Sequence, residues 1–525
     1  MVKVLISDKM SPLAAQVFRE QGIEVDEIVG LSKEELADII HEYDGLAVRS
    51  ASKVTEKVLR NAKNLKVVGR AGIGVDNIDV PFATQCGVAV MNTPFGNSIT
   101  TAEHAIAMMM ACARDIPAAD ASTRAGKWEK SKFMGVEVFG KTLGVIGCGN
   151  IGSIVVDRAQ GLKMKVMGYD PYLSDERAKE LGIKKVELDE LFAHSDFITL
   201  HTPLTDATRN VINKAAFKKM KDGVRIINCA RGGLVNEEDL AEALKSGKVG
   251  GAAFDVFTKE PATENVLFDM PNVVATPHLG AATTEAQVNV ARQVAEQMSD
   301  FLLTGAVSNA INLPSISAED APVLKPYMVL AEQIGSLAGQ LLDGEIQKVT
   351  VEYEGHVAGL NTKALTGVVL EGVLRSVMQN VNIINAPIIA RERNIDIAEV
   401  THDRESHYQT LIRLRVQTPQ GENSISGTLF ANKMPRIVNI RGVDMEAELS
   451  NHMLYVANDD KPGFIGALGM VLSEAEVNIA TFNLGRKDGA GFALCIVSVD
   501  AHISKKVEEK VASLPHVRQV KALTF

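Results

Sequence analysis

A glycine-rich turn between a short apolar strand and a helical segment constrains this chain more than any other feature. The strand pattern at 143–146 runs directly into Gly147-Cys148-Gly149-Asn150-Ile151-Gly152, and a helical pattern follows. The first glycine permits a tight turn, the second lets a pyrophosphate approach the backbone, and the third lets the helix pack against the strand. Backbone amides at the helix start then face the anion. The turn predicts a dinucleotide site at Gly147, Gly149, Asn150, Ile151 and Gly152.

A carboxylate ends the next predicted strand, residues 165–169. Asp170 follows the glycines at about the 20-residue spacing that places an acid on the adenosine ribose. There it would accept hydrogen bonds from the ribose hydroxyls and repel a 2′-phosphate. The pattern therefore predicts NAD as the cofactor in preference to NADP.

Strand patterns alternate with helical patterns on both sides of the turn, which predicts two α/β lobes with parallel sheets. The strands expected in the first lobe are residues 2–6, 45–48, 66–69 and 88–91. Those expected in the second are residues 142–146, 165–169, 197–200, 224–228, 251–255 and 273–276. Because a helical pattern over 284–303 should return to the first lobe, we expect that lobe at 1–98 and 285–312, around a cofactor-binding lobe at 99–284.

The last two-fifths of the chain have a different organisation. A segment at 304–323, with Gly305, Pro314 and Pro322, is typical of a linker. Residues 313–451 combine helical and strand patterns without a chemical motif, and predict an α+β domain. Residues 452–525 follow the order β-α-β-β-α-β, which predicts a ferredoxin-like domain.

Charge and cysteine usage narrow the functional classes. The 525 residues carry a formal net charge of -10 without a dense basic block, which disfavours nucleic acid and anionic membranes as partners. The five cysteines are scattered and form no C-x-x-C pair, so we expect reduced thiols and no metal site. The first residues resemble a strand, not a signal peptide, and we expect a cytoplasmic location.

Three polar segments follow successive predicted strands of the second lobe, and they contribute Arg231, Glu260 and His278. Ligands of such sheets bind beyond the carboxyl ends of the strands, so these side chains can converge on one crevice. Arg231 can bind a carboxylate with two parallel hydrogen bonds. His278 can take a proton near neutral pH, and Glu260 can orient the imidazole. Each residue alone could be an ordinary surface or loop side chain; together they predict oxidation or reduction at C2 of a 2-hydroxy acid.

The motifs N-x-A-R-G-G, D-V-F-x-x-E-P and P-H-x-G-A-x-T, after G-x-G-x-x-G, resemble those of the D-isomer-specific 2-hydroxyacid dehydrogenases over residues 1 to about 312. The resemblance implies two Rossmann-like, doubly wound lobes, with the substrate lobe split around the cofactor lobe. It also implies that Arg231, Glu260 and His278 are catalytic. Further cofactor contacts are implied at Thr202, Cys229, Ala230, Asp255, Gly280 and Ala281.

The whole layout is similar to the long-form phosphoglycerate dehydrogenases, which add an intervening domain and a C-terminal ACT domain. The implied reaction is the NAD-dependent oxidation of 3-phospho-D-glycerate, the first step of L-serine synthesis. Matching segments imply that Arg49 and Ser50 meet the phosphate and that Arg70 and Gly74 meet the substrate. The basic segment with Lys130 and Lys132 would reach the neighbouring subunit's site in a homotetramer. One departure is Ile73, where the group often has threonine.

The ACT resemblance implies an amino-acid effector, such as L-serine, bound between two copies of the C-terminal domain. The matching positions are Asn458, Asp460 and Asn478, although Asn458 and Asp460 replace the His and Asn sometimes found there. The alternative is a domain that only assembles the oligomer.

Two other functions remain open from the sequence. One is a related reductase of glyoxylate, glycerate or 2-oxoglutarate, and the other is a non-catalytic NAD-sensing regulator. Cations at the phosphate position distinguish a phosphoglycerate dehydrogenase from a reductase of unphosphorylated acids. Measured turnover distinguishes an enzyme from a non-catalytic regulator.

Overall fold

The first sheet has five parallel strands in the order β2-β1-β3-β4-β5 in the computed structural model, which describes residues 1–317, 319–342, 344–402, 408–487 and 491–525. The strands are β1 (Lys3–Ile6), β2 (Glu24–Glu27), β3 (Gly45–Val48), β4 (Val67–Arg70) and β5 (Ala89–Met91). The helices between them are α1 (Leu13–Glu20), α2 (Lys33–Ile39), α3 (Glu56–Asn61) and α4 (Val80–Gln85). The sequence does not predict the edge strand β2, because its residues Glu-Val-Asp-Glu include a single apolar side chain.

The second sheet has seven parallel strands in the order β12-β11-β10-β9-β6-β7-β8. The strands are β6 (Thr142–Ile146), β7 (Lys165–Tyr169), β8 (Lys184–Lys185), β9 (Phe197–Leu200), β10 (Val224–Asn228), β11 (Val249–Phe254) and β12 (Val273–Ala275). The helices are α5 (Ser98–Arg114), α6 (Ile116–Arg124), α7 (Asn150–Gly161), α8 (Asp175–Glu180), α9 (Leu188–His194), α10 (Lys214–Lys219) and α11 (Glu237–Lys245). The strand order reverses between β6 and β9, where Ile146 pairs with Leu200, and this switch point opens a crevice for a ligand.

Helix α12 (Thr284–Thr304) leaves the second lobe and packs on the first sheet. Val294 and Met298 are fully buried in the same core as Val67. A Cβ atom at Gly69 would collide with the Met298 sulfur, so this glycine allows helix and sheet to approach closely. The first lobe is thus built from two separate stretches of chain, with the second lobe between them.

The third sheet is mixed, with six strands in the order β14-β13-β15-β16-β17-β18. The strands are β13 (Lys348–Gly355), β14 (Asp396–His402), β15 (Thr410–Thr418), β16 (Gly421–Phe430), β17 (Met434–Ile440) and β18 (Val443–Ala447). Its helices are α13 (Ala321–Leu341), α14 (Thr362–Arg375) and α15 (Ala386–Glu392). Strands β13 and β14 pair in parallel, and the other neighbouring strands of this sheet pair antiparallel, as an α+β domain permits.

The fourth sheet is antiparallel, with strand order β20-β21-β19-β22. Its elements are β19 (His452–Asp459), α16 (Phe464–Glu474), β20 (Ile479–Lys487), β21 (Phe492–Val499), α17 (Lys505–Ala512) and β22 (Val517–Thr524). One face packs on its own helices, while Tyr455 and Ile496 on the other face join the core of the third sheet. The four sheets confirm the predicted fold class. Among the described residues, no helix has both the length and the apolar character of a membrane span.

Candidate active site

The glycine turn after β6 has the backbone that its sequence predicts. Gly147 has φ 93°, and a Cβ there would collide with the backbone of His201. A Cβ on Gly152 would meet the Gly147 carbonyl oxygen, whereas a Cβ on Gly149 would meet nothing within 4 Å. The first and third glycines are therefore required by close packing. The second leaves open space at the start of α7, where a pyrophosphate can approach.

The first residues of α7 are Asn150 and Ile151, and none of the described side chains caps the helix. Its N-terminal amides therefore remain available to an anion. The Thr202 hydroxyl beside the glycine turn is buried and has no hydrogen-bond partner in the part of the chain that the structure describes. Open space, free amides and a buried hydroxyl fit the phosphates and ribose of a dinucleotide.

Asp170 lies at the end of β7, on the side of the glycine turn. Its carboxylate accepts hydrogen bonds from the backbone amides of Cys148, at 2.9 Å, and Tyr172, at 2.9 Å. Asp170 therefore stabilises the glycine turn and also lies at the position where a ribose would bind. The remaining lone pairs of its two oxygens are enough to accept ribose hydroxyls.

Arg231 follows β10 in a loop built by Asn228. The Asn228 side chain accepts from the Ala230 amide at 3.1 Å and donates to the Arg231 carbonyl at 2.8 Å. The Arg231 guanidinium reaches the first lobe, where a Cβ on Gly74 would collide with it and where its Nε lies 3.5 Å from Asp76 Oδ2. Arg231 therefore stands in the crevice between the lobes. Cys229 is buried beneath this loop.

Two further cations of the first lobe lie at the ends of neighbouring strands. Burial lowers the pKa of the Arg70 guanidinium to about 10, and the positive charge of Arg231 acts in the same direction. Burial also lowers the pKa of Arg49, whose amide donates to Asp8 Oδ2 at 2.6 Å and whose Nη1 donates to the Lys9 carbonyl at 3.0 Å. The combined positive charge of these arginines attracts an anion to the crevice.

His278 and Glu260 form a hydrogen-bonded pair. His278 Nδ1 lies 2.7 Å from Glu260 Oε2, and Glu260 Oε1 accepts from the Phe257 amide at 3.0 Å. The hydrogen bond with Glu260 raises the pKa of His278 above its ordinary value of 6.5, although burial opposes the shift. Burial raises the pKa of Glu260, but its hydrogen bonds with His278 and the Phe257 amide outweigh that effect and lower it. The pair can therefore hold a proton on the imidazole beside an ionised carboxylate.

The loop after His278 rests on Asp255. This carboxylate is fully buried and accepts from the backbone amides of Leu279, at 2.7 Å, and Gly280, at 2.8 Å. The Ala281 carbonyl accepts from the Gln287 side chain at 2.8 Å. The family resemblance implies a cofactor contact at Asp255; in the structure, its hydrogen bonds stabilise this loop.

The remaining predicted residues lie away from these groups or only at the rim. Ser50 is exposed beside Arg49. Lys130 and Lys132 lie on an exposed turn, and no hydrogen bond or ion pair among the described residues links them to Arg231, Glu260 or His278. Their predicted role therefore depends on a second subunit.

The three predicted effector residues do not meet within one chain. Asn458 and Asp460 lie at the end of β19, whereas Asn478 precedes β20. Because both strands pair antiparallel to β21, they run in the same direction, and these positions fall at opposite ends of the sheet. Asn478 is exposed and donates to Asp500 Oδ2 at 2.8 Å, whereas Asn458 is only 2% exposed, which does not favour a direct contact with an effector.

Replacing Glu260 with glutamine should move the acid side of the pH–activity profile. In the 2-hydroxy acid oxidation that the sequence predicts, the imidazole must be neutral, so activity should fall as the pH drops through the pKa of His278. Since Glu260 raises that pKa, its neutral replacement lowers it, and the acid limb of kcat/KM moves to lower pH. The pH dependence of initial rates measures this shift. An acid limb that stays in place or moves to higher pH would show that Glu260 does not raise the pKa of His278.

Family models describe three parts of the chain. Residues 106–280 match the NAD binding domain of the D-isomer specific 2-hydroxyacid dehydrogenases, residues 323–441 match the D-3-phosphoglycerate dehydrogenase intervening domain, and residues 452–516 match the ACT domain. These matches confirm the resemblance drawn from the motifs, and with it NAD as the cofactor.

Curated relatives extend the likeness to the whole chain. A D-3-phosphoglycerate dehydrogenase of Synechocystis sp. is 43% identical over 99% of this chain and 94% of its own length. One from Bacillus subtilis is 42% identical over 100% of this chain and 99% of its own. A solved glyoxylate reductase from Paecilomyes thermophila has a TM-score of 0.55 and 29% identity, and covers 59% of this chain and 98% of that chain. The full-length likeness, through both additional domains, shows that the chain belongs to the D-3-phosphoglycerate dehydrogenase family.

Proposed function

We propose that this chain oxidises 3-phospho-D-glycerate with NAD, giving 3-phosphooxypyruvate, NADH and a proton, as the first step of L-serine synthesis. The observation that carries the proposal is the crevice between the lobes: Arg231 reaches Asp76 and Gly74 there, Arg49 and Arg70 stand at the ends of the paired strands β3 and β4, and the His278–Glu260 pair lies in the charge field of Arg231. The substrate bears two anionic groups flanking the carbon that reacts. A set of cations beside a proton acceptor is the arrangement that such a substrate needs.

In this proposal, the chain binds the substrate at both ends and removes its hydroxyl proton. Arg231 binds the carboxylate, since a guanidinium can donate two parallel hydrogen bonds to it. Glu260 occupies Nδ1 of His278, so Nε2 is left to accept the proton of the C2 hydroxyl. The ionised Glu260 then stabilises the imidazolium that forms. When bound along Gly147–Gly152, NAD supplies the acceptor for the hydride that leaves C2.

The phosphate is assigned to the end of β3, where Arg49 and Ser50 lie. The hydrogen bond from the Arg49 amide to Asp8 stabilises this loop, and the Asn77 side chain donates to the Arg49 carbonyl at 2.8 Å. These bonds fix the backbone and leave the exposed Ser50 hydroxyl for a ligand. Arg70 and Gly74 complete the substrate side of the crevice.

Replacing Arg49 with alanine should raise KM for 3-phospho-D-glycerate far more than KM for an unphosphorylated 2-oxo acid such as glyoxylate. Loss of a charge-assisted hydrogen bond costs about 1.5–3 kcal/mol, which corresponds to roughly tenfold to a hundredfold in KM. Steady-state kinetics with both substrates measures the difference. Arg19, an exposed arginine of the same lobe that pairs with Glu27, provides the control variant Arg19→Ala. Equal changes for both substrates would contradict the phosphate assignment.

We propose a homo-oligomer, with the tetramer that the family resemblance implies. Support comes from the segment around Lys130 and Lys132, which exposes 88% of Trp128, 78% of Met134 and 71% of Phe139. Large apolar side chains grouped on a surface mark places where a partner packs. A neighbouring copy packed there would bring Lys130 and Lys132 toward its own crevice.

We propose that two C-terminal domains form an effector site for L-serine. The placement of Asn478 and Asp460 at opposite ends of one sheet supports a site that needs two copies. Calorimetry should detect L-serine binding to the native protein, and Asn478→Ala should weaken it. Asn439→Ala, on a half-buried asparagine of the third sheet that donates to Asp444, is the control. No heat with the native protein would favour a purely structural ACT domain.

We also propose a cytoplasmic location. All five cysteines are free thiols, and four of them are buried, which agrees with the reduced state expected of that compartment.

A further inference from the structure

The loop that carries His278 has a backbone that needs support. His278 has φ 57°, in the left-handed region that residues other than glycine rarely occupy. The two amides that follow it donate to the carboxylate of Asp255, and the Thr276 hydroxyl before it donates to the same carboxylate at 2.6 Å. Asp255 therefore fixes the conformation of the loop on both sides of His278.

Helix α5 also reaches this carboxylate. His104 Nε2 lies 3.2 Å from Asp255 Oδ1 and 3.3 Å from the Thr276 hydroxyl oxygen. One turn earlier, the buried Thr101 hydroxyl donates to the Gly280 carbonyl at 2.8 Å. The helix thus holds both the carboxylate that supports the loop and the loop's own backbone.

Asp255 depends on these donors because it is fully buried. Burial raises the pKa of its carboxyl group, but interactions with His104, Thr276 and the Leu279 amide outweigh that effect and lower it. A buried ionised carboxylate that loses a donor is strongly destabilised, and its surroundings must rearrange. The arrangement leaves His278 sensitive to changes in α5.

We propose that His104 and Thr101 are positioning residues for the reaction, which act through Asp255 and Gly280 to hold His278 against Glu260. The inference rests on the proposed function, since it concerns the placement of that reaction's proton acceptor. Neither residue carries a role in the chemistry itself.

The test compares His104→Leu with the native enzyme in the oxidation of 3-phospho-D-glycerate. A displaced proton acceptor should lower kcat by roughly tenfold to a hundredfold while KM for the substrate stays unchanged, because the arginines that bind it are untouched. The charged groups that face His278 are Glu260, Asp255 and Arg231. Since displacement weakens the bond to Glu260, the acid limb should move to lower pH. His104→Gln, which can restore a donor near Asp255, should recover most of kcat.

A double variant and two single variants make the test specific. His104→Leu in the Glu260→Gln background should produce no further shift of the acid limb. Thr101→Val, which keeps the side-chain shape, should lower kcat in the same way and serves if His104→Leu does not fold. Thr100→Ala, which removes only a 3.2 Å contact between the same helix and Thr283, should match the native enzyme.

A His104→Leu enzyme with native kcat and native pH profile would overturn the inference. So would a lower kcat with an unmoved acid limb, because that combination indicates general destabilisation. Turnover by the native protein in the same assay separates the two claims. If it is active, only the positioning role fails; if it is inactive with this substrate, the proposed function fails and the inference with it.

Discussion

Replacing His278 with alanine should lower kcat for oxidation of 3-phospho-D-glycerate by roughly 10²–10⁴, the usual loss when a general base is removed. The imidazole bonded to Glu260 is the group at the end of β12 that can take the hydroxyl proton near neutral pH. KM for the substrate should change little, because the arginines bind its anionic groups. Initial-rate measurements at several substrate concentrations give both constants.

His194 provides a matched control. It is an exposed histidine on α9, in the same lobe, and its Nδ1 contacts only a backbone carbonyl in the hydrogen bonds of the described chain. His194→Ala should retain native kcat. Near-native turnover by His278→Ala would remove His278 from the role of base.

The second large effect is expected for Arg231→Ala. Two parallel hydrogen bonds from a guanidinium to the substrate carboxylate are worth about 3 kcal/mol or more, so kcat/KM should fall by roughly a hundredfold or more. Arg231→Lys should recover only part of this, since an ammonium keeps the charge but not the paired geometry. The ratio of kcat/KM between variant and native enzyme measures the loss.

Arg177 offers the control for Arg231. It lies exposed on α8 and pairs with Glu180, so Arg177→Ala should leave kcat/KM unchanged. An Arg231→Lys enzyme as active as the native protein would show that charge alone is needed. An Arg231→Ala enzyme with native kcat/KM would contradict carboxylate binding by Arg231.

The sequence was most informative where local rules act. The roles of Gly147, Gly149 and Gly152 follow from a turn that is specified within one βαβ unit, and the structure has the same turn. The meeting of Glu260 and His278 follows from the rule that loops after parallel strands share one edge of the sheet. Both predictions need only the order of elements along the chain.

The features that the sequence did not reveal depend on contacts between distant segments. No sequence motif marks His104 within α5, and only folding places it against Asp255. The polar strand β2 pairs with β1 and contributes one apolar side chain, Val25, to the core. Likewise, β19 and β20 both pair antiparallel to β21 and run in the same direction, which places Asn458 and Asn478 at opposite ends of the sheet.

The most direct test of the central claim is a substrate panel with the purified native protein, in which NADH is measured spectroscopically. We predict turnover of 3-phospho-D-glycerate with NAD at a kcat/KM far above that with NADP, and far above those for glyoxylate, glycerate and 2-oxoglutarate in the matching direction. Preference for an unphosphorylated acid would contradict the substrate assignment. No turnover with any of these acids would contradict the proposed catalytic activity and favour an NAD-sensing regulator.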